Sequence, residues 1–180
     1  LGLGQSPFPV PGCVVDALKL HAHEKDYLEV RGLKRLREAV AAYVHRNEGI
    51  SVDPDLVLVG PGSKELMFLL QVAFYGELVV PTPCWVSYVP QARIVGRPIR
   101  LVPSTVEGRW RLAPEELDTL CAEDEGRPRI LVLNYPGNPD GLTCGEAEIR
   151  RIAEVARRHE LSVLSAEIYG KRDPRARPVR

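Results

Sequence analysis

Within residues 129–134, RILVLN, four consecutive side chains, 130–133, are apolar, where a half-buried strand would alternate. A strand of that kind has to be covered on both faces, and such strands belong to parallel sheets flanked by helices. A short buried strand is expected at LVLVG (56–60), and further strands at LVVP (78–81), IRLV (99–102) and LSVLS (161–165). Between them lie segments with helical periodicity. GLKRLREAVAAYVHRN (32–47) spaces Leu33, Leu36, Val40, Tyr43 and Val44 along one face, with charges between them. PGSKELMFLLQVAFY (61–75) is apolar on most faces, which predicts a buried helix. APEELDTLCAE (113–123) reads as a surface helix with Pro114 in its first turn. EAEIRRIAEVARRHE (146–160) turns Ile149, Ile152 and Val155 to one side, and Thr143 with Glu146 suggests a capping box. Strands alternating with helices predict an α/β fold, a three-layer sandwich around a mostly parallel sheet.

Composition narrows the function. With 44% hydrophobic and 27% charged residues, the 180-residue chain has the make-up of a globular protein. Lys and Arg balance Asp and Glu at 24 each, which gives no reason to expect a nucleic-acid partner. No apolar run reaches the length of a membrane helix and the start lacks a signal-peptide pattern, so a cytoplasmic location is expected. Cys13, Cys84, Cys121 and Cys144 have no C-x-x-C pairing and read as free thiols. His21 and His23, two residues apart, would not share a helix face, so no metal site is expected there.

In parallel sheets ligands gather beyond the carboxyl ends of the strands. Four such ends carry unusual residues. Pro61, Gly62, Ser63 and Lys64 follow LVLVG and open a helix, where backbone N–H groups, a hydroxyl and an ammonium can cradle a phosphate. A plain turn with Ser63 as N-cap is the simpler reading of that segment alone. Trp85 and Tyr88 follow LVVP. YPGNPDG (135–141) follows ILVLN as a rigid loop that aims Asn138. Ala166, Glu167 and Tyr169 follow LSVLS. Neither G-x-G-x-x-G nor G-x-x-x-x-G-K-[ST] is present, which argues against an unrelated nucleotide-binding domain.

Together these stretches resemble the N-terminal and large-domain portion of the class I/II aminotransferases, fold-type-I enzymes that use pyridoxal 5′-phosphate. NYPGNPDG is similar to the family's Asn-Pro-x-Gly loop, and SAEIYG to its SDEIYG strand end. The resemblance implies that Asn138 and Tyr169 bond the phenolic oxygen of the cofactor. It implies that Gly62, Ser63 and Lys64 form the phosphate cup and that Trp85 stacks on the pyridine. It further implies that Gly4 lies beside the substrate carboxylate and that Tyr27 reaches the phosphate of a neighbouring subunit. The expected chemistry is amino-group transfer between an amino acid and a 2-oxo acid by a homodimer. The expected organisation is an extended arm (1–31), a partial cofactor-binding domain (32–170) and a basic, Pro-rich, disordered tail (171–180).

Two departures bear on function. The family has Asp where this chain has Ala166, and Glu167 cannot replace it because adjacent strand residues face opposite ways. No catalytic residue is assigned: the lysine that forms the Schiff base with the cofactor has no counterpart in these 180 residues, and Lys171 follows Tyr169 too closely to match it. The tail KRDPRARPVR and the missing initiator Met suggest a fragment or a frame-shifted product, inactive alone. The alternative is a non-catalytic degenerate homologue that binds cofactor weakly, or an interaction partner of a full-length subunit.

Overall fold

A computed structural model describes residues 8–170. Gly4 and the 171–180 tail, Lys171 included, lie outside the described residues. The chain divides into two compact units, Leu1–Arg46 with Ile50–Val59, and Asn47–Gly49 with Gly60–Arg180.

The first unit contains helices α1 (Gly12–His21) and α2 (Lys34–Glu48) and a 3-10 turn at Pro54–Leu56. Its centre is polar. Arg37 is buried and donates to the Gly32 and Pro54 carbonyls, to Asp55 at 2.7 Å and to Glu29 at 2.9 Å. The hydrogen bond to Asp55, outweighing burial, raises the Arg37 pKa further. Gly32 makes room for this turn: its φ is +99°, and a side chain there would run into Val59.

Three expectations need correction in this unit. Residues 12–21 form a helix inside the segment predicted to run extended. LVLVG is not a strand, because Asp53 caps the 3-10 turn and Val59 N–H then goes to the Arg31 carbonyl, outside any sheet. On α2, Leu36 and Tyr43 are exposed, and Arg37 and Ala41 are the buried residues.

The second unit is the sandwich. It contains α3 (Ser63–Ala73), β1 (Glu77–Thr82), α4 (Tyr88–Ile94), β2 (Ile99–Pro103), α5 (Pro114–Ala122), β3 (Arg129–Asn134), α6 (Glu146–Arg158) and β4 (Ser162–Ala166). The four strands are parallel in the order β2-β1-β3-β4. On one face Leu78, Val80, Ile130 and Val132 pack with Met67 of α3 and with Tyr88 and Ala92 of α4. On the other, Val79, Val102, Leu131 and Leu133 pack with Leu117 and Cys121 of α5 and Ile152 and Val155 of α6. The three-layer α/β fold expected from sequence is therefore observed.

At the amino ends of the strands, Glu77 and Arg129 are register partners and form a buried ion pair at 3.1 Å. Arg100 and Arg127 approach the same carboxylate at 3.8 Å. Charges so enclosed persist only because they are paired.

Local structure departs from expectation at α3 and α6, and β4 is exposed along one face. Helix α3 buries Met67 and Gln71, while Leu69, Leu70 and Val72 are exposed. β4 is an edge strand whose Val163 is half exposed. Helix α6 has Gly145 as its N-cap, whose N–H donates to Glu148 at 2.8 Å, so the box expected from Thr143 and Glu146 does not form.

Leu131 is fully enclosed, so Leu131→Ala should cost about 2–5 kcal/mol of unfolding free energy. Leu69→Ala, on the open side of α3, should stay within about 0.5 kcal/mol. Urea denaturation of the two variants measures both.

Candidate cofactor-binding cleft

A cleft opens at the carboxyl ends of β1 and β3. Pro81, Pro83, Cys84 and Tyr88 line it from the β1 side, and Asn134, Tyr135, Gly137, Asn138 and Asp140 from the β3 side, with Trp110 completing the wall. Trp110 has φ +54°, uncommon for a bulky side chain, and its N–H donates to the Thr105 carbonyl at 2.9 Å.

The loop that carries Asn138 is closed on itself. Gly137 N–H donates to Leu142 and its carbonyl accepts from Gly141, while Asp140 Oδ1 accepts the Leu142 N–H at 3.0 Å. At its base the Tyr135 hydroxyl bonds the Cys144 thiol. Burial, strengthened by that bond, pushes the Tyr135 hydroxyl far up. Beyond the loop, Arg111 donates to Glu148 at 2.6 Å, anchoring the start of α6. Asn138 is thus held at a fixed place on the rim, half-buried.

The start of α3 stands beside β1 and α4. Gly62, with φ +113°, is the N-cap, so Ser63 is the first helical residue and not the cap suggested by its sequence context. Space around Gly62 is open. The first-turn N–H groups have no acceptor within a helix and carry its positive end. Lys64 Nζ lies 5.5 Å above the Trp85 ring, and that ring meets Tyr88 edge-on at 5.5 Å. Gln91 clamps the arrangement: its amide donates to the Lys64 carbonyl at 2.9 Å and its oxygen accepts from buried Gln71 at 3.1 Å.

The residues singled out from sequence therefore occupy different positions. Asn138 lines the cleft itself. Gly62, Ser63 and Lys64 form an exposed cationic turn tied to Trp85, which sits between the cleft-lining residues Cys84 and Tyr88. Tyr169 is half-buried beyond β4. Tyr27 belongs to the first unit and its side chain is fully exposed. Glu167 is exposed and accepts from the Ser165 hydroxyl at 2.8 Å, away from Ala166, which is buried. The strand-facing argument against Glu167 as a stand-in therefore holds.

Sequence reasoning did not nominate Asn134, Trp110, Tyr135 or Asp140. Asn134 had a signal: it is a polar residue closing a run that must be buried on both faces. Its Oδ1 is buried without a hydrogen-bond partner. Leaving such an acceptor unsatisfied costs about 1–3 kcal/mol, which a ligand's donor would recover. A purely apolar ligand would leave that cost in place. A planar ring bearing polar substituents and an anionic arm suits this set: an unsatisfied oxygen and the Asn138 amide at the cleft, and a cationic helix start beside it.

Burial chiefly, with Cys84 adding to it, pushes the Tyr88 hydroxyl up to about 12 against an opposing hydrogen bond from Asn134. An unfolded tyrosine ionises near pH ~10. Tyr88 therefore contributes stability in full below about pH 10, and that contribution is lost as pH rises through about 12. Tyr88→Phe should flatten the loss between those limits, as read from urea midpoints at about pH 9 and about pH 11.

The family model for aminotransferase class I and II matches residues 1–172. The aspartate aminotransferase of Bacillus subtilis is 31% identical over 176 residues, covering 95% of this chain and 44% of that protein. The Pyrococcus abyssi aspartate aminotransferase is 34% identical, covering 94% and 44%. Among solved structures, the Rhizobium meliloti aspartate aminotransferase superposes with a TM-score of 0.85 at 29% identity, over 92% of this chain and 42% of that one. The aromatic aminotransferase of Pyrococcus horikoshii gives 0.85 at 30%, over 94% and 46%. The chain spans less than half the length of the relatives it matches.

Proposed function

The chain belongs to the class I and II aminotransferases, a family that generally uses pyridoxal phosphate, and we propose that its cleft is the cofactor-holding part of such an enzyme. The whole enzyme would transfer an amino group between an amino acid and a 2-oxo acid. The observation that carries this reading is the convergence of three polar groups on one sheet edge: the cationic start of α3, the Asn138 loop and the unsatisfied acceptor Asn134 Oδ1.

Pyridoxal phosphate, when bound, supplies an aldehyde carbon for the amino group and a pyridine ring that takes up electrons. Gly62, Ser63 and Lys64 would hold its phosphate through first-turn N–H groups, a hydroxyl and an ammonium. Trp85 would present its ring to the pyridine. Asn138 would donate its amide N–H to the phenolic oxygen, and Tyr169 its hydroxyl. Gly4 would lie beside the substrate carboxylate, and Tyr27, exposed on the first unit, would reach the phosphate of a second copy in a homodimer. We place the protein in the cytoplasm; no helix among the described residues is long and apolar enough to cross a membrane.

Ala166 favours a second reading, a homologue that holds cofactor without turning over, because alanine supplies no charge to the ring. The two readings share the binding step and part at catalysis.

Titration with pyridoxal 5′-phosphate, followed by tryptophan fluorescence, tests the shared step. Saturable quenching is expected, and Asn138→Ala should weaken binding about tenfold, the loss of one charge-assisted hydrogen bond of about 1.4 kcal/mol. Binding unaffected by Asn138→Ala would contradict the site. An assay of the 180 residues with aspartate and 2-oxoglutarate should show no transamination under either reading, and turnover would contradict both.

A further inference from the structure

We propose that Asn134 orients the cofactor in this cleft, its side-chain oxygen accepting a hydrogen bond from the pyridine ring N–H beside Ala166. The inference rests on the reading that the cleft takes pyridoxal phosphate, and it assigns a role to a residue outside the motifs that suggested that reading.

The register of the sheet carries the argument. Asn134 and Ala166 are paired across β3 and β4, each the last residue of its strand, so their side chains leave the same face at the same level. Ala166 ends in a methyl group and can accept nothing. Beside it, Asn134 Oδ1 is buried and unpaired. Two other buried side-chain atoms among the described residues also lack partners, Gln71 Oε1 and Arg111 Nε, but neither residue lines the cleft. The Asn134 amide also bonds the Tyr88 hydroxyl, which fixes the plane of the side chain.

Neither nearby carboxylate is in register with Asn134 and Ala166. Glu167 accepts from Ser165 on the other side of the strand, and Asp140 accepts the Leu142 N–H. An amide oxygen differs from a carboxylate in one respect that matters here: it is a neutral acceptor. It anchors the ring N–H without adding negative charge, so the ring proton is held less firmly than an ion pair would hold it. Asn134 beside Ala166 therefore favours holding and orienting the ring over strengthening its pull on electrons.

The test uses pyridoxine 5′-phosphate, whose alcohol cannot condense with surface lysines, and its 1-deaza analogue, with C–H in place of the ring nitrogen. The full chain should bind the first about tenfold tighter than the second. N134L should abolish that preference, and N134D should keep or increase it. Preference surviving in N134L would overturn the role of Asn134 and leave the cofactor reading intact. Binding of neither compound by the unsubstituted chain would overturn the reading, and the inference with it. Should N134L fail to fold, the 15N shift of labelled ring nitrogen decides: a different shift in N134D and the unsubstituted chain is expected, and an identical one overturns the proposal.

Discussion

The apolar run Ile130–Leu133 is enclosed on both faces, by α3 and α4 on one side and α5 and α6 on the other. That enclosure fixes how β3 pairs with β1 and with β4. A slip of one residue would exchange the two faces and bring Arg129 or Asn134 into an apolar layer. The buried Glu77–Arg129 pair reinforces the same register from the amino end, because the two residues sit opposite each other only in this alignment. At the carboxyl end, the same register sets Asn134 against Ala166.

The cleft follows from that alignment. Beyond Asn134 the chain has nowhere to continue as strand, since Pro136 and Pro139 cannot donate to a ladder, and the loop closes through Gly137, Asp140 and Leu142 instead. Asn138 is displayed at its rim. From the other side, Gln71 and Gln91 couple α3 to α4, so the cationic turn at Gly62–Lys64 is held beside Trp85. Polar groups placed by rigid backbone instead of long side chains need little ordering when a ligand arrives.

Much of this was legible from sequence because local signals and tertiary demands agreed. The strands of the sheet and helices α2, α3, α5 and α6 all carried the expected periodicity. Misreadings fell where they disagreed. LVLVG has the apolar content of a strand, but Asp53 and Pro54 start a 3-10 turn and, among the described residues, no strand pairs with it. Helix α4 was hidden by Pro90, which falls within its first turn, where the missing N–H is tolerated. Helix α1 follows a Pro- and Gly-rich start that masked the four-residue spacing of Val14 and Leu18. The site was legible where a motif carried it, as at Asn138. Asn134 emerged only from strand register, because its importance lies in which residue stands across from it.

Binding at the carboxyl edge of β1 and β3 is the central claim, and side-chain amide resonances report on it directly. In a 15N-labelled chain titrated with pyridoxal 5′-phosphate, the account predicts saturable shifts of the Asn134 and Asn138 side-chain amides. The Arg129 side-chain resonance, at the opposite end of the sheet, should stay unmoved. Shifts confined to residues away from this edge, or none at saturating cofactor, would contradict the account.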